Sequence, residues 1–321
     1  MTIYNIAIWG LGNHAINRIL PSLSKVNELC IVGVCSRNKN IVNQQAEKWG
    51  CFGWTNSNDM LNNPSVDIIY IAVPIGIHYS FSEQAIKAGK HVWCEKPLTC
   101  SYEQTKNLVA LAEKHNRAIF ESFMYLHHNQ FHRVQKFVNN TKKLNSVVCR
   151  FGIPRLDTPG FRNDPKLGGG AFWDVASYPI SAIFALFYGQ DARVLFSDIL
   201  HNDDSKVDNL GRALVRFSGG ISAYLEWGVG LAYKNEIDLW SENESFYTDK
   251  IFSKPEDYIP IYYERNLNGE QSIENGDKCE QFIEMFKNFI KMLDDEFKSA
   301  FERKMILGRA KLMDDIINFK E

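Results

Sequence analysis

Residues 6–15 read Ile6-Ala7-Ile8-Trp9-Gly10-Leu11-Gly12-Asn13-His14-Ala15, an apolar run that empties through two glycines into a helical pattern. In a parallel α/β protein this is where a first strand hands over to a first helix. Gly10 permits the tight turn, Gly12 lets the backbone approach a pyrophosphate, and small Ala15 lets helix and strand pack closely. Ala15, Ile16, Ile19, Leu20 and Leu23 then recur at helical spacing. The free N–H groups and positive dipole end of such a helix suit phosphate. Gly-x-Gly-x-x-Ala alone also describes an ordinary turn. The strand before it and the helix behind it favour a dinucleotide cradle of Gly10, Leu11, Gly12, Asn13 and His14.

The second strand, Leu29-Cys30-Ile31-Val32-Gly33-Val34-Cys35, ends in Ser36-Arg37-Asn38-Lys39. An NAD site usually places a carboxylate here, about 20 residues past the glycines, on the adenosine ribose 2′-hydroxyl. This chain has none. Ser36 can hydrogen-bond a 2′-phosphate, and the Arg37 guanidinium can pair with it or lie over the adenine. NADP(H) is therefore the expected cofactor, with NAD(H) the alternative; a solvated loop start is the reading without chemistry.

Composition narrows the field. With 321 residues and 45% hydrophobic content, the chain can bury a large core, most simply as two domains. Lys and Arg number 36 against 38 Asp and Glu, interspersed, so no basic stripe points to nucleic acid or membrane. Cys30, Cys35, Cys51, Cys94, Cys100, Cys149 and Cys279 show no paired C-x-x-C spacing, which fits reduced thiols and a cytoplasmic setting. No signal-peptide pattern and no run of about 18 apolar residues is seen. The spacings of a Gly-x-Ser-x-Gly elbow and a Gly-x-x-x-x-Gly-Lys loop are absent, which disfavours those hydrolases and nucleotidases.

Up to residue 121, strand-like segments at 3–9, 29–35, 67–73, 90–93 and 117–121 alternate with helical ones at 13–23, 39–49, 78–88 and 101–115. That rhythm predicts a Rossmann domain over 1–121, a doubly wound parallel sheet. From 122 the rhythm changes. A helix at 128–140 precedes strands near 145–153, 193–200, 210–217, 220–228 and 235–241, and Gly219-Gly220 marks a hairpin. Amphipathic helices follow near 282–293 and 301–318. Residues 122–321 are thus expected to form an α+β domain with an open antiparallel sheet, for substrate binding and oligomerisation.

Two segments carry further chemistry. His91-Val92-Trp93-Cys94-Glu95-Lys96-Pro97-Leu98 closes a strand at its carboxyl end, the edge where such sheets bind ligands. Phe161-Arg162-Asn163-Asp164-Pro165-Lys166-Leu167-Gly168-Gly169-Gly170-Ala171-Phe172-Trp173-Asp174-Val175-Ala176-Ser177-Tyr178 leads three glycines into a helix on which Asp174 and Tyr178 are four apart. The cofactor contacts are expected to include Ala72, Pro74 and His78, at and beyond the end of the third strand, with Glu95, Lys96 and Pro97. His128 and His132 are also four apart, yet no Glu or Cys stands at a ligand spacing, and no metal is expected.

These three motifs together resemble the glucose-fructose oxidoreductase, inositol dehydrogenase and MocA family over nearly the whole chain. The resemblance implies a nicotinamide cofactor in the Rossmann domain and a substrate site on a C-terminal open sheet, which commonly mediates dimerisation or tetramerisation. It maps the family's lysine onto Lys96 and its aspartate onto Asp174. Tyr178 stands where the inositol dehydrogenase branch has histidine, as in the branch of sugar 3-ketoreductases and dihydrodiol dehydrogenases, where that tyrosine is the general acid/base. His128, Arg162 and Trp173 join Asp174 and Tyr178 in the implied substrate set. Segments 123–130, 233–240 and 252–258 are similar to nucleotide-sugar ketoreductases, with Leu126, Asn129 and Ala176 departing from the usual Arg, Pro and Gly.

Hydride transfer to a ketone requires a proton on the oxygen. Tyr178 is the expected donor. Its unperturbed pKa of about 10 is too high for free exchange near neutrality, and an ammonium such as Lys96 favours the phenolate and stabilises the alkoxide. Asp174 is expected to hold Lys96 or a sugar hydroxyl, and Arg162 to reach a phosphate or pair with Asp164. The reaction implied is NADP(H)-dependent reduction of a sugar carbonyl, most simply of a nucleotide-linked 3-keto sugar. Aldose or trans-dihydrodiol oxidation is the second enzymatic reading, and an NADP(H)-binding sensor the non-enzymatic one.

Overall fold

Ile6, Ala7 and Ile8 have no exposed surface, and the strand that carries them lies at the centre of a six-stranded parallel sheet. A computed structural model of the chain describes residues 2–158, 160–202 and 205–320. It divides into two compact units, residues 1–123 with 282–307, and residues 124–281 with 308–321.

In the first unit, strands β1 (Tyr4–Trp9), β2 (Leu29–Cys35), β3 (Phe52–Trp54), β4 (Ile68–Ile71), β5 (His91–Cys94) and β6 (Ile119–Glu121) run in the order β3-β2-β1-β4-β5-β6. Every pairing is parallel. Helices cover both faces, so β1 and β4 read as nearly unbroken apolar runs rather than as alternating ones. Strand order reverses between β1 and β4. The carboxyl ends of these two strands therefore open the crevice in which such sheets hold ligands. The helix after β1 begins with a π-turn, Ala15–Ile19, continued by α1 (Leu20–Leu23). Asn38 caps the next helix, α2 (Lys39–Trp49), by accepting from the Asn40 and Ile41 amides, and left-handed Gly50 closes it. Helix α3 (Ser57–Leu61), α4 (His78–Lys87) and α5 (Tyr102–Lys114) follow. Ser101 caps α5 by accepting the Gln104 amide, and Glu103 pairs with Lys106. Late in the chain, Phe286 and Phe289 return to this unit and pack on Trp93 and Phe120.

The second unit holds an eight-stranded sheet. Its strands are β7 (Leu144–Ile153), β8 (Ala192–His201), β9 (Asp208–Phe217), β10 (Ser222–Val229), β11 (Lys234–Ser241), β12 (Glu244–Asp249), β13 (Ile261–Asn266) and β14 (Gln271–Asn275). They lie in the order β14-β13-β12-β11-β7-β10-β9-β8. The sheet is antiparallel except for β7 with β10. Alternation is clean on its central strands: Val147, Cys149, Phe151, Ala223, Leu225, Trp227, Ile237 and Leu239 are buried on one face. Helix α6 (Asn129–Asn140) opens this unit, and helix α7 (Ser177–Leu186) packs on β7 and β10. The opposite face presents half-buried Val148, Tyr224 and Leu214 around the ion pairs of Arg150 with Glu226 and Glu236. Helices α8 (Gln281–Leu293) and α9 (Glu296–Ile317) end the chain, α9 starting five residues before the sequence pattern predicts. Among the described residues, no helix is long and apolar enough to cross a membrane.

Candidate active site

Gly10 adopts φ +111°, and a Cβ there would come within 2.4 Å of the Ala72 carbonyl oxygen. Only glycine fits where the β1 turn passes the end of β4. Gly12 differs: a Cβ on it would meet nothing within 4 Å. Protein packing does not ask for a glycine there, whereas a pyrophosphate laid against the backbone does, so the cradle fits a dinucleotide. Ser36 donates its amide to Trp54 O at 3.1 Å, and Arg37 is exposed at the carboxyl end of β2. No carboxylate follows until Glu47, on α2.

Glu95, beyond β5, accepts the Tyr70 hydroxyl at 2.6 Å and faces the His14 ring at 3.0 Å through one carboxylate oxygen. Burial by itself raises the Glu95 pKa, but His14, Tyr70 and the Lys96 ammonium outweigh it and hold the group below the usual carboxylate range. Tyr70, fully buried, is driven well above the usual phenol range by that burial and by the Glu95 charge. Lys96 is 9% exposed, and the peptide joining it to Pro97 is cis. The turn is held from two sides. Buried Glu121 accepts the Leu98 amide at 2.8 Å, and the His78 ring bridges Pro97 O (2.9 Å) and Val73 O (2.8 Å). Burial lowers the His78 pKa against these two carbonyls. Its side chain has no exposed surface and braces the turn between Val73 and Pro97.

In the second unit, the three glycines are demanded by packing. A Cβ on Gly169 would stand 2.5 Å from Arg162 O, and one on Gly170, at φ +110°, would stand 2.1 Å from Asp208 Oδ1. Asp208, from β9, accepts the Phe172 amide at 2.7 Å and so caps the helical run that begins there. That run is a π-turn, Phe172–Ala176, continued by α7. Asp174 on the π-turn accepts Arg162 Nε at 2.5 Å. Arg162 therefore pairs with Asp174 and not with Asp164, whose carboxylate caps the Lys166 amide. Trp173, half-buried, packs edge-on against Phe172. Tyr178 is 8% exposed, its ring enclosed by Phe151, Tyr125 and Phe252 at centroid distances of 5.0–5.8 Å. The Tyr125 hydroxyl donates to the Tyr178 carbonyl, which fixes the backbone beneath the phenol.

His128 has no exposed surface, and its Nδ1 accepts the Gln130 amide at 2.9 Å as the cap of α6. Burial, then the nearby Lys254 charge, push its pKa down to about 3. The residue implied as a substrate contact is thus buried and neutral, and caps α6. Among the described residues, no group of three or more His, Cys, Asp or Glu is placed to hold a metal ion.

Two family patterns match this chain: the oxidoreductase family with an NAD-binding Rossmann fold over residues 4–123, and the GFO/IDH/MocA C-terminal domain over residues 142–246. The chain belongs to the GFO/IDH/MocA family. It is an NAD(P)-dependent oxidoreductase. A dTDP-3,4-didehydro-2,6-dideoxy-alpha-D-glucose 3-reductase of Saccharopolyspora spinosa is 27% identical over 97% of this chain and 96% of that protein. The protein of the same name from Actinomadura kijaniata is 29% identical over 87% of this chain and 81% of its own length. A crystal structure of a 3-ketoreductase from Actinomadura kijaniata, in complex with NADP and TDP-benzene, superposes with a TM-score of 0.93 at 25% identity, covering 98% and 97% of the two chains.

For a GFO/IDH/MocA protein, the residues that pattern-reading overlooks here are the supports. Glu121 and Tyr70 set the Glu-Lys-Pro turn, and Asp208 sets the helix of Asp174 and Tyr178. Only the Gly-Gly-Gly run hints at Asp208, since a glycine that must clear a side chain implies a close neighbour.

Proposed function

We propose that this enzyme reduces the 3-keto group of a nucleotide-linked sugar with NADPH, and that residues 1–121 serve the cofactor and 122–321 the substrate. The observation that carries the reading is the joint presence of Lys96 in Glu-Lys-Pro and Tyr178 in Gly-Gly-Gly-Ala-x-x-Asp-x-x-x-Tyr, in a chain whose relatives bear the name 3-reductase. Support for NADP(H) over NAD(H) is the Ser36-Arg37 pair at the end of β2 and the NADP bound in the Actinomadura 3-ketoreductase.

NADPH, when bound, supplies the hydride. Gly10, Leu11, Gly12, Asn13 and His14 line its pyrophosphate, Ser36 and Arg37 take the 2′-phosphate, and Ala72, Pro74, Glu95, Lys96 and Pro97 border the rest of the crevice, braced by His78. Tyr178 donates the proton to the ketone oxygen. Lys96 stabilises the alkoxide and favours the phenolate that Tyr178 leaves behind. Asp174, fixed by Arg162, orients a sugar hydroxyl; Trp173 borders the ring, and His128, the cap of α6, completes the substrate set. The enzyme works in the cytoplasm, in keeping with seven free thiols, and assembles as a homodimer or homotetramer through the half-buried outer face of its second sheet.

Initial rates of NADPH oxidation with a dTDP-linked 3-keto sugar test the reading, alongside NADP+ reduction with D-xylose and with a trans-dihydrodiol. Turnover of the keto sugar is expected to dominate. Tyr178→Phe is expected to lower kcat by about 10²–10⁴ while sparing NADPH affinity. Turnover confined to xylose or the diol would transfer the assignment to the aldose or dihydrodiol class, and no turnover of any of them would favour a sensor.

A further inference from the structure

Arg162 is held at three points before any substrate arrives. Its carbonyl accepts the Gly170 amide at 2.9 Å and lies against Gly169, where a Cβ would intrude to 2.5 Å. Its Nε donates to Asp174 at 2.5 Å, and its guanidinium carbon stands 5.0 Å from the Phe161 ring centroid. Ordering a free arginine costs rotamer entropy, and here that cost is met by the fold itself.

The anchoring uses only the Nε edge. Among the described residues, neither terminal amino group of Arg162 donates a hydrogen bond, and its side chain is 36% exposed. A pair that served only to tie the loop down would engage the fork with the carboxylate. This one presents the fork outward. Asp174, which anchors the fork, and Tyr178, which carries the phenol, are four residues apart on one helical run.

We infer that Arg162 is the seat of the substrate's diphosphate, a preset planar fork that grips two phosphoryl oxygens while Asp174 keeps it in place. This rests on the nucleotide-sugar reading above and names the group of that substrate which the residue recognises. A guanidinium fork matches phosphate oxygens in pairs, whereas a sugar hydroxyl offers one oxygen at a time. The spacing is chemically apt, since a diphosphate on C1 lies two ring bonds and one ester bond from a carbonyl at C3.

The test is equilibrium binding of dTDP and, separately, of thymidine to the NADP+-loaded enzyme, for wild type, Arg162→Gln, Arg162→Lys and Asp174→Asn. Arg162→Gln is expected to weaken dTDP by about 10- to 100-fold and thymidine by less than about twofold. Arg162→Lys, which keeps the charge and loses the fork, is expected to recover only part of the affinity, and Asp174→Asn to fall between it and wild type. NADPH affinity, measured in parallel, is expected to stay at the wild-type value and so to report an intact fold in each variant. Wild-type dTDP affinity in Arg162→Gln, or equal losses for dTDP and thymidine, would overturn the assignment and leave the nucleotide-sugar reading standing. Failure of the wild-type enzyme to bind dTDP would overturn that reading and this inference together.

Discussion

Lys254 lies between β12 and β13 with 7% of its surface exposed, and its ammonium donates to Ile251 O at 2.9 Å and to no other group among the described residues. Burial pushes its pKa down from 10.5 to about 7, with only a small opposing pull from Cys279. Below pH 7 folded and unfolded chains both carry the proton, and the folded chain bears the desolvation penalty. From pH 7 to 10.5 the unfolded chain keeps a proton that the folded chain has released, so stability rises with pH. Holding that ammonium charged inside the fold costs roughly 5 kcal/mol at low pH. Lys254→Met removes the titration and retains the volume. Its stability relative to wild type is therefore expected to be most favourable near pH 6 and to shrink by roughly 3 kcal/mol by pH 9. His128, with a pKa of about 3, stays neutral across this window and does not blur the difference. Equilibrium urea unfolding of both proteins at pH 6, 7, 8 and 9 reads it directly. A stability difference that stays flat with pH, or grows, would refute the picture of a buried, poorly partnered ammonium.

The two glycines of the first turn are expected to separate fold from function. Gly10→Ala, which meets the Ala72 carbonyl at an unfavourable φ, should cost about 3 kcal/mol or more in urea unfolding, whereas Gly12→Ala should cost less than about 1 kcal/mol yet weaken NADPH at least about tenfold in a fluorescence titration. Arg37→Ala should raise the Kd for NADPH by about 10- to 100-fold and leave NADH within about twofold; equal losses for both would remove Arg37 from the 2′-phosphate. The proposed assembly predicts that the wild type sediments as a dimer or tetramer and that Leu214→Asp, on the outer face of the second sheet, sediments as a monomer without loss of NADPH binding; a monomeric wild type would refute the proposed interface.

The first sheet is legible because its strands are short apolar runs between amphipathic helices. Strand β3, three residues long, and helix α3, five, fall below the length at which periodicity speaks. In the second sheet β7, β8, β9, β10 and β11 are visible from alternation and from the hairpin at Gly219-Gly220. Strands β12, β13 and β14 are not: they lie toward one edge, carry Glu244, Asp249, Glu264, Arg265 and Glu274, and β14 is exposed along its whole length. The parallel pairing of β7 with β10 is equally hidden, since register between distant strands leaves no local mark.

At the site, glycine turns and the Glu-Lys-Pro and Asp-x-x-x-Tyr patterns mark themselves by spacing. Partners do not. Asp164, two residues from Arg162, is nearer in sequence than Asp174, twelve away, yet a turn at 160–163 and the glycine run bring Asp174 to the guanidinium. Asp208 and Glu121 reach their amides from other strands. His78 bridges two carbonyls and His128 caps α6, hydrogen bonds that their places in the sequence do not announce.

The central claim is that Lys96 and Tyr178 act on one reacting oxygen beside the nicotinamide. A crystal structure of the enzyme with NADPH and a bound dTDP-sugar measures it most directly. The account predicts the Lys96 ammonium and the Tyr178 hydroxyl both within about 3.2 Å of the C3 oxygen, with the nicotinamide C4 against that carbon. Either group found in a pocket away from the ring would contradict it.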